Sequence, residues 1–314
     1  MRNRIAVKKE EKGMEKRVSL GLMEQPVMRK ETVSKQEEAE MREVFDRVTH
    51  IEGKYLATLE LLKERVNALG GGKPLILHAQ YPPRGDDDML NLGNAAFPDQ
   101  FGDKFSQIIE MFDPEWISFH LGFSCQKLLS RGQFDFAIAQ SEIIPEEVLR
   151  QRMLKNIAFV RKTYLKRGNI ILENLDYNPR DKSGAYEHVC DPDFIDRILT
   201  AGQCGMLLDI GHANCSAQNM GYDKVMEFIF KLPLEKVVEI HMSGAGAKDG
   251  LAHDTHHPIN REGQPEVGYL EEILKSGRMT SLAAVTLETF EDIIPQLELL
   301  RNLLERSGWT IASL

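Results

Sequence analysis

The sequence predicts an α/β fold, specifically a (β/α)8 barrel of the TIM type, on two observations. Short apolar runs alternate with longer stretches that carry apolar residues at helical spacing along the 314 residues. Several of these runs end on a histidine or a carboxylate, and the strands of a parallel barrel bring their last side chains to one shared mouth. Strict alternation favours a barrel over a sandwich or a bundle, and no glycine-rich dinucleotide fingerprint follows the first strand to favour an open sheet.

Eight apolar runs are predicted to be strands. They are short and are bounded by turn-forming or helical segments, as buried parallel strands usually are. In chain order they cover residues 17–23, 46–52, 74–78, 116–121, 169–174, 205–210, 236–242 and 283–289.

The stretches between these strands carry helix start and stop signals. Ser34 begins a charged helix, and the glycines at 70–72 end the next one. Pro145, followed by two glutamates, begins a helix that Gly168 closes. Further helices are predicted over residues 193–201, 223–231, 265–275 and 291–306.

Residues 17–314 are expected to form a single TIM-barrel, metal-binding domain, because no linker interrupts the alternation. Residues 1–16 are rich in Lys, Arg and Glu and are expected to form a flexible tail. Long loops are predicted at the end of the barrel where a substrate would enter. They cover residues 79–98, 122–144 and 243–264.

Composition limits the partners and the setting. The net charge of -9 opposes a large nucleic-acid interface, which needs clustered lysine and arginine. No apolar run is long enough for a signal peptide or a membrane span, so we expect no membrane association. The four cysteines show no CxxC pairing, which favours a reducing, cytoplasmic setting.

The chemistry is predicted from residues at the ends of strands. Glu173, Asp209, His241 and Glu288 can surround one divalent cation, and carboxylates there can also act as catalytic bases. We therefore name Glu173, Asp209 and Glu288 as catalytic candidates. The pattern of these four residues resembles the xylose-isomerase-like superfamily, which contains sugar epimerases and endonuclease IV.

Five more candidates indicate more than one ion. His78, His120, His212, Asp254 and His256 are too many for a single ion that keeps open positions, whereas bridging carboxylates between neighbouring ions would use them all. Imidazole together with carboxylate suits zinc, manganese or iron.

Other polar residues are placed outside the predicted site. Solvated or helix-capping roles are expected for His50, His188, His253 and His257, although the last two could support ligands by hydrogen bonds. Asn174 and Asn214 could orient ligands or cap turns, and Cys215 is expected to be a small buried residue.

An ordered series of segments resembles the DUF692 (UPF0276) family, the multinuclear non-heme iron-dependent oxidases, one of which acts in methanobactin biosynthesis. The resemblance spans about residues 46–300. The segments are residues 74–78, 114–121, 171–177, 207–223, 232–245 and 253–258.

This resemblance implies a TIM barrel that holds two or three iron ions. It implies Glu173, Asp209, His212, His241, Asp254, His256 and Glu288 as ligands, with His78 and His120 completing the set. It also implies dioxygen-dependent modification of a precursor peptide, often at cysteine, commonly with a separate partner protein that presents the peptide.

The chain departs from the family pattern at two places. Where many members carry asparagine, this chain has Gly211 and His212, which adds a ligand. A Glu-Asn-Tyr element of the second strand is replaced by Glu52-Gly-Lys-Tyr55, which leaves the role of Glu52 open.

Three alternatives to a peptide oxidase remain at this point. A sugar isomerase or epimerase would need one ion, with Glu173 and Glu288 moving a proton. A phosphodiesterase of the endonuclease IV type would use three zinc ions but fits poorly with an acidic chain. A barrel with a purely structural ion would not need so large a ligand set.

Overall fold

A computed structural model of the protein describes residues 15–81, 89–129, 138–139, 141–165, 168–179, 184–261 and 263–314. Most of the expected N-terminal tail, residues 1–14, lies outside the described residues. So do parts of the predicted entry loops, residues 82–88 and 130–137.

Eight parallel strands close into a barrel, which confirms the predicted fold. The first and the last strand of the ring pair directly, with Leu20 opposite Val285, so the sheet has no open edge at that point. The barrel strands follow one another in chain order around the ring. All strands are β1 Lys16–Met23, β2 His50–Gly53, β3 Leu75–His78, β4 Trp116–His120, β5 Leu128–Leu129, β6 Ile138–Ala139, β7 Asn169–Glu173, β8 Gly205–Asp209, β9 Val237–Met242, β10 Gly244–Lys248, β11 Leu251–His257, β12 Ala284–Leu287 and β13 Trp309–Ile311.

Five of these strands lie outside the closed ring. The pairs β5–β6 and β10–β11 are antiparallel hairpins inserted in loops after β4 and β9. The last strand, β13, pairs with the beginning of β1, where Lys16 lies opposite Trp309. None of these five strands is predicted from the sequence, because β5, β6 and β13 are only two or three residues long and the hairpin β10–β11 carries few large apolar residues.

Helices lie between the barrel strands along the chain. They are α1 Lys35–Phe45, α2 Leu59–Gly70, α3 Asp103–Phe112, α4 Glu146–Thr163, α5 Pro192–Gly202, α6 Ile210–Asn219, α7 Val225–Ile229, α8 Glu266–Lys275 and α9 Ile293–Arg306. Ser34 caps α1 and accepts from the Glu37 backbone N–H, and Gly71 ends α2 with a φ of 68°, as the sequence predicts.

Two helices are missed by the sequence analysis. Helix α3 carries buried Phe105, Ile108 and Ile109 at helical spacing, so its signal is present in the sequence. Helix α6 begins directly after β8 and is buried on nearly every face, so it has no polar side whose periodicity could reveal it.

The inward face of the barrel changes from apolar to polar toward the mouth. Side chains two residues apart on a strand share a face, so Ile171 lies on the face of Glu173, and Leu207 on that of Asp209. An inner apolar cluster contains Ile76, Trp116, Ile171, Leu207 and Ala284. It lies beneath the polar strand ends, while the larger core cluster includes residues of the surrounding helices.

None of the helices in the described part of the chain combines the length and the apolarity that crossing a bilayer requires.

Candidate metal centre

The carboxyl ends of the barrel strands bring all nine predicted ligands together in a buried set at the mouth. Six of them end or follow barrel strands, His212 lies in the first turn of α6, and two lie in β11. Each ligand side chain is at most about a tenth exposed. They form three contacting groups, which we call lateral, central and outer.

The lateral group consists of His78, His120 and Glu173. The Nε2 atoms of both histidines lie 3.2 Å from Oε2 of Glu173. One ligand atom from each of the three residues falls within 4.8 Å of the other two. These three side chains come from β3, β4 and β7, which are neighbours in the barrel.

The central group consists of Glu173, Asp209, His241 and Glu288, and it also meets the 4.8 Å criterion. His241 Nδ1 lies 2.9 Å from Glu288 Oε2, 3.7 Å from Glu173 Oε1 and 4.0 Å from Asp209 Oδ2. Glu173 therefore belongs to both groups, with one carboxylate oxygen facing each.

The outer group consists of His212, Asp254 and His256. Oδ2 of Asp254 lies 3.3 Å from His212 Nε2 and 3.2 Å from His256 Nε2. His256 Nε2 is also 3.9 Å from Glu288 Oε1, and His212 Nδ1 is 3.4 Å from Glu173 Oε1. The outer group thus adjoins the central group on two sides.

Ring orientation shows that these contacts suit metal ions better than hydrogen bonds. The Ser118 hydroxyl donates to the Leu77 carbonyl oxygen, so it accepts from Nδ1–H of His78. Nε2 of His78 then carries a lone pair that faces a carboxylate oxygen of Glu173. Two acceptors at 3.2 Å repel each other unless a cation lies between them.

His212 is oriented in the same way. Its Nδ1 lies 2.9 Å from the Asn174 carbonyl oxygen, to which an N–H there donates, so the ring is fixed with Nε2 facing Asp254. Asn174 also exchanges side-chain hydrogen bonds with the backbone of Asp209, which joins the ends of β7 and β8. Asn174 therefore orients ligands, one of the two roles that the sequence left open.

The distances match those around an ion. Two ligand atoms about 2.0–2.2 Å from one ion, at angles of about 90–110°, lie about 2.8–3.6 Å apart. Most of the close contacts in the three groups fall in that range. Among the described residues, Glu173 Oε2, Asp209 Oδ2 and both ring nitrogens of His241 are buried without a hydrogen-bond partner. The residues therefore fit a multinuclear centre.

Backbone geometry also serves the site. Oδ1 of Asp209 accepts from the His212 backbone N–H and caps α6, which leaves Oδ2 directed to the central group. His256 has a φ of 48°, a left-handed conformation that costs energy in a residue with a Cβ atom. Such strain is common where a side chain is held for function.

The buried acidic side chains of the site have shifted pKa values, because each is buried away from water and close to other charged side chains. Burial, then the carboxylates Glu288 and Asp254, raises the pKa of Asp209 to about 8. Burial alone would raise the pKa of Glu173 as well, but the imidazoles of His120 and His78 hold it below its usual value. A cluster of buried carboxylates in this arrangement favours cations strongly.

The sequence analysis leaves the role of Glu52 open and misses Glu239 and Lys54, and all three lie beside the ligands. Glu52 Oε2 lies 2.8 Å from His241 Nε2, although the pair lacks hydrogen-bond alignment. Glu239 accepts from Trp116 Nε1–H at 2.8 Å and from the Thr286 hydroxyl. Lys54 Nζ donates to Glu288 Oε1 at 2.7 Å. Period-two spacing from His241 could have revealed Glu239, and Glu52 ends a predicted strand.

The expectation of a solvated or capping role is wrong for two histidines. His50 is fully buried inside the barrel, where Nδ1 lies 2.7 Å from Ser19 Oγ and Nε2 lies 2.9 Å from Thr286 Oγ1. His253 is buried beside the outer group. His50 belongs to a polar layer inside the barrel, and period-two spacing from Glu52 would have placed it on the inward face.

The remaining candidates lie where simpler roles suffice. Cys215 is buried, as expected, and so are the other three cysteines. Asn214 donates to Glu266 Oε1 rather than contacting a ligand. His188 lies 3.8 Å from Glu146, and His257 contacts Arg261.

Comparison with known proteins finds a matching family and similar folds. Residues 89–305 match the family described as RiPP precursor modification enzyme MbnB/TglH/ChrH. A UPF0276 protein of Acaryochloris marina is 28% identical over 207 residues, which cover 64% of this chain and 70% of that protein.

Solved structures share the barrel. Endonuclease IV from Thermus thermophilus superposes with a TM-score of 0.56 at 16% identity and covers 92% of this chain and 99% of its own. A xylose isomerase-like TIM barrel protein from Mycobacterium smegmatis, in complex with magnesium, gives 0.56 at 12% identity, with 93% and 97% covered. At such identities these similarities show the fold alone.

Proposed function

Because this chain belongs to the MbnB/TglH/ChrH family of RiPP precursor modification enzymes, we propose that it is a multinuclear non-heme iron-dependent oxidase. Its substrate is a ribosomally made precursor peptide, and the residue that changes is a cysteine. Dioxygen is the oxidant and accepts the electrons that the peptide loses. The observation that carries the proposal is the set of three adjoining ligand groups joined by Glu173 and Glu288.

The ligand set supports two or three iron ions as the cofactors. Imidazole and carboxylate ligands suit iron and also admit zinc or manganese as substitutes. The lateral, central and outer groups are the proposed binding positions. When bound, ferrous ions would supply electrons for dioxygen and a Lewis-acidic position for a substrate thiolate.

The chain itself supplies position and proton transfer. Glu173 uses one oxygen for each of two groups, which fixes the distance between them. Asp209 and Glu288 each present an oxygen to the central group, where a carboxylate can also accept the proton of an incoming thiol. These three residues are the proposed catalytic carboxylates.

The peptide would enter from the mouth, past the loops after β3, β4 and β9. Tyr55 and Tyr81 lie at this end and stack with ring centroids 5.1 Å apart, while Arg29 packs over Tyr55. We propose that the surface formed by Tyr55, Tyr81 and Arg29 contacts the peptide and that a separate partner protein presents the peptide. A cytoplasmic setting suits a chain without CxxC pairs and a ribosomal product.

The single-ion alternative is less consistent with the geometry. A sugar isomerase would use the central group alone. It would leave His78, His120, His212 and His256 without a role, although burying these polar side chains costs free energy. A phosphodiesterase of the endonuclease IV type could use three ions, yet the net charge of -9 works against a nucleic-acid substrate.

The test is oxygen uptake by protein that has been prepared without air and loaded with ferrous iron. A synthetic library of cysteine-containing peptides is added, and oxygen consumption and peptide mass are followed. We expect uptake with a mass change in at least one peptide, and loss of both in Glu173→Gln. Glu187→Gln, which changes a carboxylate outside the ligand groups, is the matched control. One tightly held zinc or manganese per chain without oxygen uptake would overturn the proposal.

A further inference from the structure

Strand β2 contributes no predicted ligand, yet it and the residue that follows it place two opposite charges behind two neighbouring ligands. Glu52 lies 2.8 Å behind His241, and Lys54 lies 2.7 Å behind Glu288. The two ligands face each other across 2.9 Å, from His241 Nδ1 to Glu288 Oε2. The central group is thus held from both far sides by one short segment.

Glu52 acts on His241 through the ring nitrogen that faces away from the group. Nδ1 is the nitrogen near Glu173, Asp209 and Glu288, so Nε2 lies on the far side of the ring and faces the Glu52 carboxylate. A carboxylate in this place fixes the ring and makes the opposite nitrogen a better donor to a metal ion. Glu52 is fully buried, and among the described residues neither of its oxygens has an aligned hydrogen-bond partner.

Lys54 acts on Glu288 by occupying one of its two oxygens. The ammonium takes Oε1, which is also the oxygen 3.9 Å from His256 of the outer group. Oε2 alone then faces His241. Lys54 and Glu288 are both buried, so water does not compete with the ammonium for Oε1 of Glu288.

We propose that Glu52 and Lys54 are positioning residues that make the central group the tightest of the three metal positions. Glu52 directs Nδ1 of His241 at the ion, and Lys54 restricts Glu288 to one ligand oxygen and keeps the other from the outer group. The inference rests on the proposed metal-binding function. Both residues lie in the segment where this chain departs from the family's Glu-Asn-Tyr element.

A separate ion between Glu52, Glu239 and His241 is the competing interpretation, since their ligand atoms also lie within 4.8 Å of one another. Glu239 already accepts from Trp116 and Thr286. With both of its oxygens engaged in these hydrogen bonds, Glu239 is a poor ligand, which favours the positioning role for Glu52.

The test is an anaerobic ferrous iron titration against a competing chelator. It compares the wild-type protein with Glu52→Gln and Lys54→Met, two substitutions of nearly unchanged size. For Glu52→Gln we expect the tightest equivalent to weaken about 10- to 100-fold while the others change little. For Lys54→Met we expect tighter binding of a later equivalent, because Oε1 of Glu288 becomes free.

Matched controls are Glu60→Gln on α2 and Lys35→Met on α1, both exposed, and neither should change any equivalent. Circular dichroism checks the fold, and either variant alone carries the test if the other does not fold. Wild-type protein that binds no iron would contradict the proposed function. Wild-type binding that neither substitution alters would overturn only the positioning roles.

Discussion

Glu173 is the residue that connects the candidate centre. Its two oxygens lie within 3.7 Å of imidazoles that come from four different elements, at His78, His120, His212 and His241. A buried carboxylate among so many nitrogen atoms has little purpose in stability, because charges removed from water cost more than a solvated pair returns. The arrangement is instead what neighbouring ions require of a bridging ligand.

His50 shows what the barrel interior does to a single titratable group. Burial, then the charge of His241, lowers the pKa of His50 to about 3, whereas an unfolded chain has a histidine pKa of about 6.5. Between these values the unfolded chain binds more protons than the folded one. The contribution of His50 to the free energy of unfolding is therefore complete above about pH 6.5 and falls as the pH is lowered.

The substitution His50→Gln tests this dependence. In metal-free protein we expect the wild-type free energy of unfolding to fall more steeply than that of the variant, by about 1 kcal/mol per pH unit between about pH 6 and pH 5. Urea unfolding curves at several pH values give both slopes. Equal slopes would show that His50 is not held neutral by the fold.

Among the elements, β1 has to leave room for the histidine of β2. A Cβ atom at Gly21 would lie 2.0 Å from Nε2 of the His50 ring, a distance that no side chain tolerates. Ser19 of the same strand contacts the other nitrogen of this ring. The His50 ring of β2 thus packs directly against the backbone of β1 at Gly21.

Two glycine-to-alanine substitutions distinguish the effect of this close contact on stability from the effect of backbone entropy. Gly21→Ala should destabilise the protein by about 1–3 kcal/mol through overpacking. Gly268→Ala, in α8 with nothing near the added methyl, should stabilise it by about 0.5–1 kcal/mol. Urea unfolding measures both, and a Gly21→Ala protein as stable as the wild type would contradict the packing described.

The elements that carry ligands were predictable to different degrees. Barrel strands such as β7 and β8 are indicated by apolar runs that end on Glu173 or Asp209. The apolar run locates the strand, and the acid marks the strand end that carries the ligand. The hairpin β10–β11 and helix α6 are not, because their polar sequences are ordered by contacts with distant segments. The Asn219 side chain, for example, donates to the Ala252 carbonyl oxygen and accepts from the Ala252 backbone N–H, across 33 residues of sequence. Local pattern contains no information about such contacts.

At the scale of the whole molecule, the closed barrel was the most predictable feature and the grouping of its ligands the least. Barrel strand ends converge by topology, so the nearness of His78 and Asp209 follows from the fold, whereas His256 comes from the inserted hairpin β10–β11. The division into lateral, central and outer groups depends on rotamers and on partners such as Ser118 and Lys54. The sequence suggests several ions, but only side-chain geometry indicates which residues could share one. The single-domain organisation of residues 17–314 stays a prediction.

A barrel with these ligand groups should bind several iron ions through shared carboxylates. The most direct test is metal analysis of protein prepared without air, combined with Mössbauer spectroscopy of iron-57 to assign oxidation state and coupling. We predict two or three iron ions per chain with spectra of adjacent, interacting sites, and a loss of more than one ion in Glu173→Gln. A single ion per chain, or an iron content that survives Glu173→Gln unchanged, would contradict it.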